Sequence, residues 1–193
     1  YTTNVMGTVN ILEASRNIHN LKAVIIVTSD KCYENKEWIW GYRENEKMGG
    51  SDPYSSSKGC AELVTAAYRY SFFNNGNNNT LIASVRAGNV IGGGDWAKDR
   101  ILTDIVLSAS QNTSLLIRNP YSTRPWQFVL EPLSGYLCLG EKLLEGNQKF
   151  AEAWNFGPNL ENNITVKELV LKSIMYWDNI KYEFDTRKHP YES

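Results

Sequence analysis

Histidine is scarce in this chain and cysteine is scattered. Only His19 and His189 offer an imidazole among 193 residues, which argues against a histidine-rich metal site or a histidine-based triad. Cys32, Cys60 and Cys138 lie far apart and form no C-x-x-C pair. Neither a disulfide framework nor a zinc site is expected, and a reducing, cytoplasmic setting is the natural reading. No apolar run approaches the ~20 residues of a membrane-spanning helix, and the first residues lack the pattern of a signal peptide. An excess of one charge is missing too: 20 Lys and Arg stand against 21 Asp and Glu, for a net −1. That balance excludes the footprint of a nucleic-acid or membrane-surface protein. A small phosphorylated ligand stays compatible, because it needs only one or two well-placed arginines. Also absent is the G-x-x-G-x-x-G turn that receives a dinucleotide pyrophosphate between strand and helix.

The residues that are present alternate between helix and strand patterns. Val5, Val9 and Leu12 recur at helical spacing, and the apolar, β-branched run KAVIIVTSD at 22–30 predicts a strand buried on both faces of a parallel sheet. A loop of about twenty polar and aromatic residues follows, of a size that is usually functional in a compact domain. Asp52-Pro53 predicts a helix start, with Asp as cap and Pro at the first helical position, running to about Phe73. The tract NNGNNN at 74–79 reads as a loop. TLIASVRAGNVIG predicts a second buried strand that ends in Gly92-Gly93-Gly94. Helices are expected at 100–110 and 131–146, and strands at 114–119, 153–158 and 180–185. Thr165 and Glu168 form a capping box, with Ile164 and Leu169 as its hydrophobic staple, for a helix to about Trp177. The alternation predicts an α/β fold with a parallel sheet.

In such sheets ligands bind beyond the carboxyl ends of the strands. The first clear strand ends in Thr28-Ser29-Asp30-Lys31, a hydroxyl, a carboxylate and an ammonium in succession. The next helix starts with Tyr54 and Lys58, four apart and therefore on one face. A cation one turn from a phenol favours the phenolate, the form that takes up a proton near neutral pH.

Ser29 followed by Tyr54-x-x-x-Lys58 resembles the Ser/Thr–Tyr–Lys set of the short-chain dehydrogenases, in the extended branch that acts on sugar nucleotides. The longer segments VTSDKCYENKEW, DPYSSSKGCAELVTAAYR, RAGNVIGGGDWA, RPWQ and WNFGP are similar to the CDP-glucose 4,6-dehydratases, from about Asn4 to Tyr191. The resemblance implies an incomplete Rossmann-type, doubly wound parallel sheet with a smaller sugar-nucleotide lobe. Residues 1–91 would be the second half of the NAD-binding domain and 92–193 mainly the substrate lobe, with 124–158 returning to the first.

It also implies NAD as cofactor and CDP-glucose as substrate. Hydride would leave sugar C4, water would be eliminated across C5 and C6, and hydride would return to C6. Tyr54 matches the base for the C4 hydroxyl, Ser29 its helper, and Lys58 both a helper and the contact to the nicotinamide ribose. Asp30 matches the acid that protonates the leaving C6 hydroxyl. Lys31 stands where related dTDP-glucose dehydratases carry glutamate, and either acts as an unprotonated base or stays charged and stabilises an enolate. Asn89 matches a sugar-nucleotide contact and Arg124 the pyrophosphate arginine; Arg118 is a second phosphate candidate or simply the end of a strand. Glycines 92–94 read as a tight bend rather than a phosphate loop, and one of Trp38, Trp40, Trp96 and Trp126 is a candidate for base stacking. Thr103 and Phe128 depart from the family pattern. A homo-oligomer, a cytoplasmic location and a role in lipopolysaccharide O-antigen biosynthesis are further implications.

Without the glycine turn, the chain is expected to be an internal segment of a longer enzyme. The alternatives are a dTDP-glucose dehydratase, a sugar-nucleotide epimerase, or a non-catalytic sugar-nucleotide-binding remnant. The 193-residue chain by itself is expected to bind NAD⁺ more weakly than micromolar, less than about 8 kcal/mol in magnitude, in calorimetry. Tight binding would contradict the expectation.

Overall fold

The computed structural model describes residues 1–36, 38–74, 79–97, 99–159, 163–185 and 187. Positions 75–78 of the expected asparagine loop, and the terminal HPYES, lie outside the described residues. In chain order, a π-helical turn Thr2–Met6 leads into α1 (Gly7–Arg16), β1 (Ala23–Val27) and a 3-10 turn Asp30–Cys32. Helix α2 (Pro53–Tyr68) continues through a π-helical turn Arg69–Phe73 to β2 (Leu81–Ala87) and β3 (Val90–Ile91). Next come α3 (Ile101–Ser110), β4 (Ser114–Ile117), β5 (Thr123–Pro125), β6 (Gln127–Phe128) and α4 (Leu130–Leu144). After a 3-10 turn Gln148–Phe150 the chain forms β7 (Ala153–Phe156), β8 (Asn163–Thr165), α5 (Val166–Ile174) and β9 (Lys181–Phe184). Two compact units result: Tyr1–Gly88 with Leu130–Gly157, and Asn89–Val129 with Pro158–Ser193. The second stretch that packs in the first unit thus runs 130–157, beside the 124–158 expected from the sequence.

The first unit is built on a parallel sheet of order β1-β2-β7, with Ala23 opposite Leu81 and Val85 opposite Trp154. β2 is the central strand and its alternation divides the unit. Leu81, Ala83 and Val85 pack with Leu139 and Leu143 of α4 and with Ala151. Ile82 packs on the opposite face with Leu12 of α1 and Phe73. β1 shares the arrangement, Ala23 and Ile25 on the α4 side, Val24 and Ile26 on the other. Helix α4 lies close on β7: a Cβ added at Gly135 would sit 2.1 Å from the Phe156 ring.

Two expectations need correction. β1 is only half-buried, and Val27 is 55% exposed, because β2 flanks one edge and no strand flanks the other among the described residues. The apolar run through TLIASVRAGNVIG is not one strand. It breaks at Gly88-Asn89, where β2 ends and the chain passes into the second unit.

That unit pairs β3 with β6 and β4 with β9 in parallel, and β5 with β8 antiparallel. Its core joins Ile105 and Ala109 of α3, Leu115 and Ile117 of β4, Val170 of α5 and Ile180. The capping box that starts α5 forms as expected: Thr165 Oγ1 accepts from Glu168 N at 3.1 Å and Thr165 N donates to Glu168 Oε2 at 2.7 Å.

Ile82 has no exposed surface, whereas Leu137 on α4 is 76% exposed. Ile82→Ala is expected to cost about 2–5 kcal/mol of stability, from lost transfer energy and the cavity left behind. Leu137→Ala should stay within about 0.5 kcal/mol. Urea midpoints of the two variants check the order.

Candidate active site

The start of α2 is fixed by its cap. Asp52 Oδ1 accepts from Tyr54 N at 2.9 Å and Ser55 N at 3.0 Å, and Oδ2 accepts from the Ser55 hydroxyl. These bonds satisfy backbone donors that have no partner inside the helix. With Pro53 at the first turn, Tyr54 falls one turn before Lys58, whose Nζ lies 6.0 Å from the centre of the Tyr54 ring. Tyr54 is 52% exposed; Lys58 is half-buried and lines a cleft of about 310 Å³ together with Asn4, Gly7, Ile26, Val27 and Ala61.

The other half of the set follows β1. Thr28 and Ser29 are buried, and Asp30 and Lys31 half-buried. Ser29 Oγ donates to Asp30 Oδ1 at 3.1 Å and accepts from Lys31 N at 3.3 Å, which starts the turn Asp30–Cys32. That turn packs against α2, and the absence of a side chain at Gly59 permits it: an added Cβ would lie 3.2 Å from the Cys32 carbonyl oxygen. Asp52 is held below the usual carboxylate range, first by the Ser55 hydroxyl, then by its backbone donors and by the charge of Lys31, with burial opposing. Ser29, Asp30, Lys31, Tyr54 and Lys58 therefore belong to one unit, on a strand end and the helix packed against it. The arrangement offers a phenol and an ammonium on one helix face, and a hydroxyl and a carboxylate on the neighbouring turn.

Asn89, Arg118 and Arg124 belong to the second unit. Asn89 precedes β3 and its carbonyl accepts from Gln127 N at 3.1 Å. Arg118 Nη2 donates to Asp99 Oδ1 at 3.1 Å, and Arg124 Nη1, on β5, donates to the Thr123 carbonyl at 3.2 Å. Glycines 92–94 make a bend in which Gly94 takes φ +82°, a conformation that favours glycine. Trp38 packs on Tyr42 with the Lys36 ammonium 4.4 Å from its ring, while Trp40 and Trp96 are largely exposed.

A polar network behind this site was not legible in the motif reading. Glu62 of α2 is buried and accepts from the Thr28 hydroxyl, from Ser84 Oγ at 2.8 Å and from Arg86 Nη2 at 2.7 Å. Arg86 Nη1 also donates to the Tyr33 hydroxyl and to the Glu44 carbonyl at 3.0 Å. The Tyr33 hydroxyl in turn donates to Asn155 Oδ1 at 2.7 Å, and Asn155 Nδ2 donates to the Tyr42 carbonyl at 2.8 Å. The sequence signal was a carboxylate within the apolar face of α2 and an arginine within the apolar run IASVRA; two buried runs carrying opposite charges imply a pair. Burial by itself would raise the Glu62 carboxyl, but the bonds and charge of Arg86, with Thr28 and Ser84, hold it below the carboxylate range. Beneath the same turn, burial pushes the Cys32 thiol up to about 12, so it is an inert core group. All three cysteines are free, and no cluster of three or more His, Cys, Asp or Glu among the described residues is placed to hold a metal. No described helix is long and apolar enough to cross a membrane.

Residues 1–144 match the model of the GDP-mannose 4,6 dehydratase family. The chain belongs to this family. Its relatives include the CDP-glucose 4,6-dehydratase of Salmonella typhimurium, 57% identical over 197 residues that cover all of this chain and 55% of the relative. Among solved structures, a dTDP-glucose 4,6-dehydratase from Bacillus anthracis in complex with NAD superposes with a TM-score of 0.75 at 24% identity, over 97% of this chain and 57% of that one. A UDP-glucuronic acid 4-epimerase from Bacillus cereus gives 0.76 at 20% identity, over 95% of this chain and 55% of that one. The chain thus spans about half the length of the relatives it matches, and its first unit has the Rossmann-like fold of NAD-dependent sugar-nucleotide enzymes.

The depressed Glu62 carboxyl sets a pH dependence. Its stabilising contribution is complete above the ordinary value of 4.5 and is lost as the pH falls through the lower folded value. Stability should therefore fall on acidification, and Glu62→Gln should flatten that acid limb while lowering stability at neutral pH. Urea unfolding at a series of pH values reads both effects.

Proposed function

We propose that this chain is the catalytic half of a CDP-glucose 4,6-dehydratase, forming CDP-4-dehydro-6-deoxy-D-glucose and water. The observation that carries the reading is the convergence of Ser29-Asp30-Lys31 with Tyr54 and Lys58 in one unit of the family's fold. The 57% identity to a CDP-glucose enzyme favours cytidine over the dTDP and epimerase alternatives. The Asp30-Lys31 pair favours dehydration over epimerisation, and the intact set argues against a non-catalytic remnant.

The residues present fit the nicotinamide-ribose end of NAD: the Lys58 ammonium, which lines the cleft at the end of β1, and the Tyr54 hydroxyl one helical turn before it are donors suited to ribose hydroxyls. Bound NAD⁺ supplies the hydride acceptor and, later, the donor. Tyr54 takes the proton of the sugar C4 hydroxyl, with Ser29 holding that hydroxyl in line and Lys58 favouring the phenolate. Asp30 delivers a proton to the C6 hydroxyl as it leaves as water. Lys31 in its unprotonated form takes the C5 proton, and the ammonium so formed stabilises the enolate oxygen at C4; the same proton returns to C5 at the end of the cycle. Asn89 and Arg124 contact the sugar nucleotide, Arg124 through its pyrophosphate; Arg118 is the weaker candidate, since Asp99 already holds it. The two units divide into a cofactor half, 1–88 with 130–157, and a substrate half. A cytoplasmic homo-oligomer serving lipopolysaccharide O-antigen biosynthesis completes the proposal.

In a full-length enzyme that carries this chain, Asp30→Asn should oxidise C4 and then stall before water loss, accumulating CDP-4-dehydroglucose. A general acid contributes about 10²–10⁴-fold, so dehydration should slow by that factor. Tyr54→Phe should instead return unreacted CDP-glucose. Mass spectrometry of quenched reactions distinguishes them: unchanged dehydration by Asp30→Asn removes the acid assignment, and oxidised sugar from Tyr54→Phe removes the base.

A further inference from the structure

We infer that the buried Glu62–Arg86 pair is a positioning device that locks the catalytic helix to the strand-end turn and to the intervening loop. The inference rests on the dehydratase reading for its functional consequence, but its geometry stands independently. Tyr54, Lys58 and Glu62 sit at i, i+4 and i+8, so they form one stripe along α2. Along that stripe the side chains pass from half-exposed through half-buried to 4% exposed at Glu62. The catalytic candidates therefore extend from a stripe whose inner end is fixed.

Glu62 divides its two oxygens between the neighbours of the site. Oε1 receives the hydroxyl of Thr28, the residue before Ser29, while Oε2 receives Ser84 and Arg86 of β2. Arg86 then reaches into the loop that separates Asp30-Lys31 from Tyr54, through the Tyr33 hydroxyl and the Glu44 carbonyl. Asn155 of β7 closes the circuit: its side chain bonds the Tyr33 hydroxyl and the Tyr42 carbonyl, and its N–H donates to Glu44 Oε1 at 2.9 Å. The rings of Tyr33 and Tyr42 stack with their centres 5.0 Å apart. Four segments that are distant in sequence thus meet at one carboxylate and one guanidinium. No hydrogen bond from Glu62 or Arg86 reaches Tyr54 or Lys58, so the pair acts through the backbone that carries them.

A buried ion pair often gives little net stability over apolar residues of the same volume, whereas removing one partner is strongly destabilising. The informative variant removes both charges, Glu62→Leu with Arg86→Met. It should melt within a few degrees of the parent, yet the amides of 38–48 should exchange hydrogen at least tenfold faster. In the full-length enzyme kcat should fall about 10²-fold, the scale of a misplacement of roughly 1 Å, with KM little changed. Parent-like exchange and parent-like kcat would overturn the inference, and so would a loss confined to KM. If the double variant does not fold, Tyr33→Phe decides, since it removes only the hydroxyl shared by Arg86 and Asn155; faster exchange at 38–48 supports the inference and unchanged exchange overturns it. A parent enzyme that does not convert CDP-glucose would sink the functional reading alone, because the exchange measurement needs no turnover.

Discussion

One carboxylate with almost no access to solvent organises the first unit. Glu62 accepts from two hydroxyls and a guanidinium: Thr28 lies just past the end of β1, Ser84 and Arg86 lie on β2, and Arg86 reaches on to Tyr33 in the loop after the first turn. Leaving either charge without the other would cost about 3–5 kcal/mol, a large share of the stability of a small domain. The pair therefore constrains which arrangements of helix, sheet and loop are accessible at all. In the loop that follows the first turn, the Tyr33 hydroxyl and the Tyr42 and Glu44 carbonyls find partners in this network, and Tyr33 forms a short bridge with Met48.

β2 explains how such a network fits inside an apolar unit. Its side chains alternate, Leu81, Ala83 and Val85 toward α4, and Ile82, Ser84 and Arg86 toward the face that carries α1 and α2. One face is a purely apolar layer. The other starts apolar at Ile82, against Leu12 and Phe73, and turns polar toward the carboxyl end of the strand. The change of character along one face puts the charges at the end of the sheet where ligands bind in this architecture. A structural need and a functional position coincide there.

Much of the fold was legible because local signals sufficed. The Asp52-Pro53 start of α2, the capping box of α5 and the apolar runs of β1, β2, β4, β7 and β9 each encode an element within a few residues. The two- and three-residue strands β3, β5, β6 and β8 were not, since so short a stretch carries no periodicity and owes its geometry to a partner strand. The break at Gly88-Asn89 escaped for a related reason: an apolar run reads as one strand whether or not its halves pair with different sheets. Half-burial of β1 depends on how many neighbours it has, which composition does not state.

The sequence by itself determined the chemistry on offer. Spacing put Tyr54 and Lys58 on one helical face, the strand end carried Ser29-Asp30-Lys31, and longer motifs joined the chain to the sugar-nucleotide dehydratases. Only the tertiary structure decided that these two groups share a unit, while Asn89, Arg118 and Arg124 belong to another. It alone paired Glu62 with Arg86 across 24 residues and brought Tyr33 to Asn155 across 122. The physical reason is that helix caps and side-chain periodicity are local properties of the backbone, whereas a buried charge finds its partner only once the whole chain has excluded water.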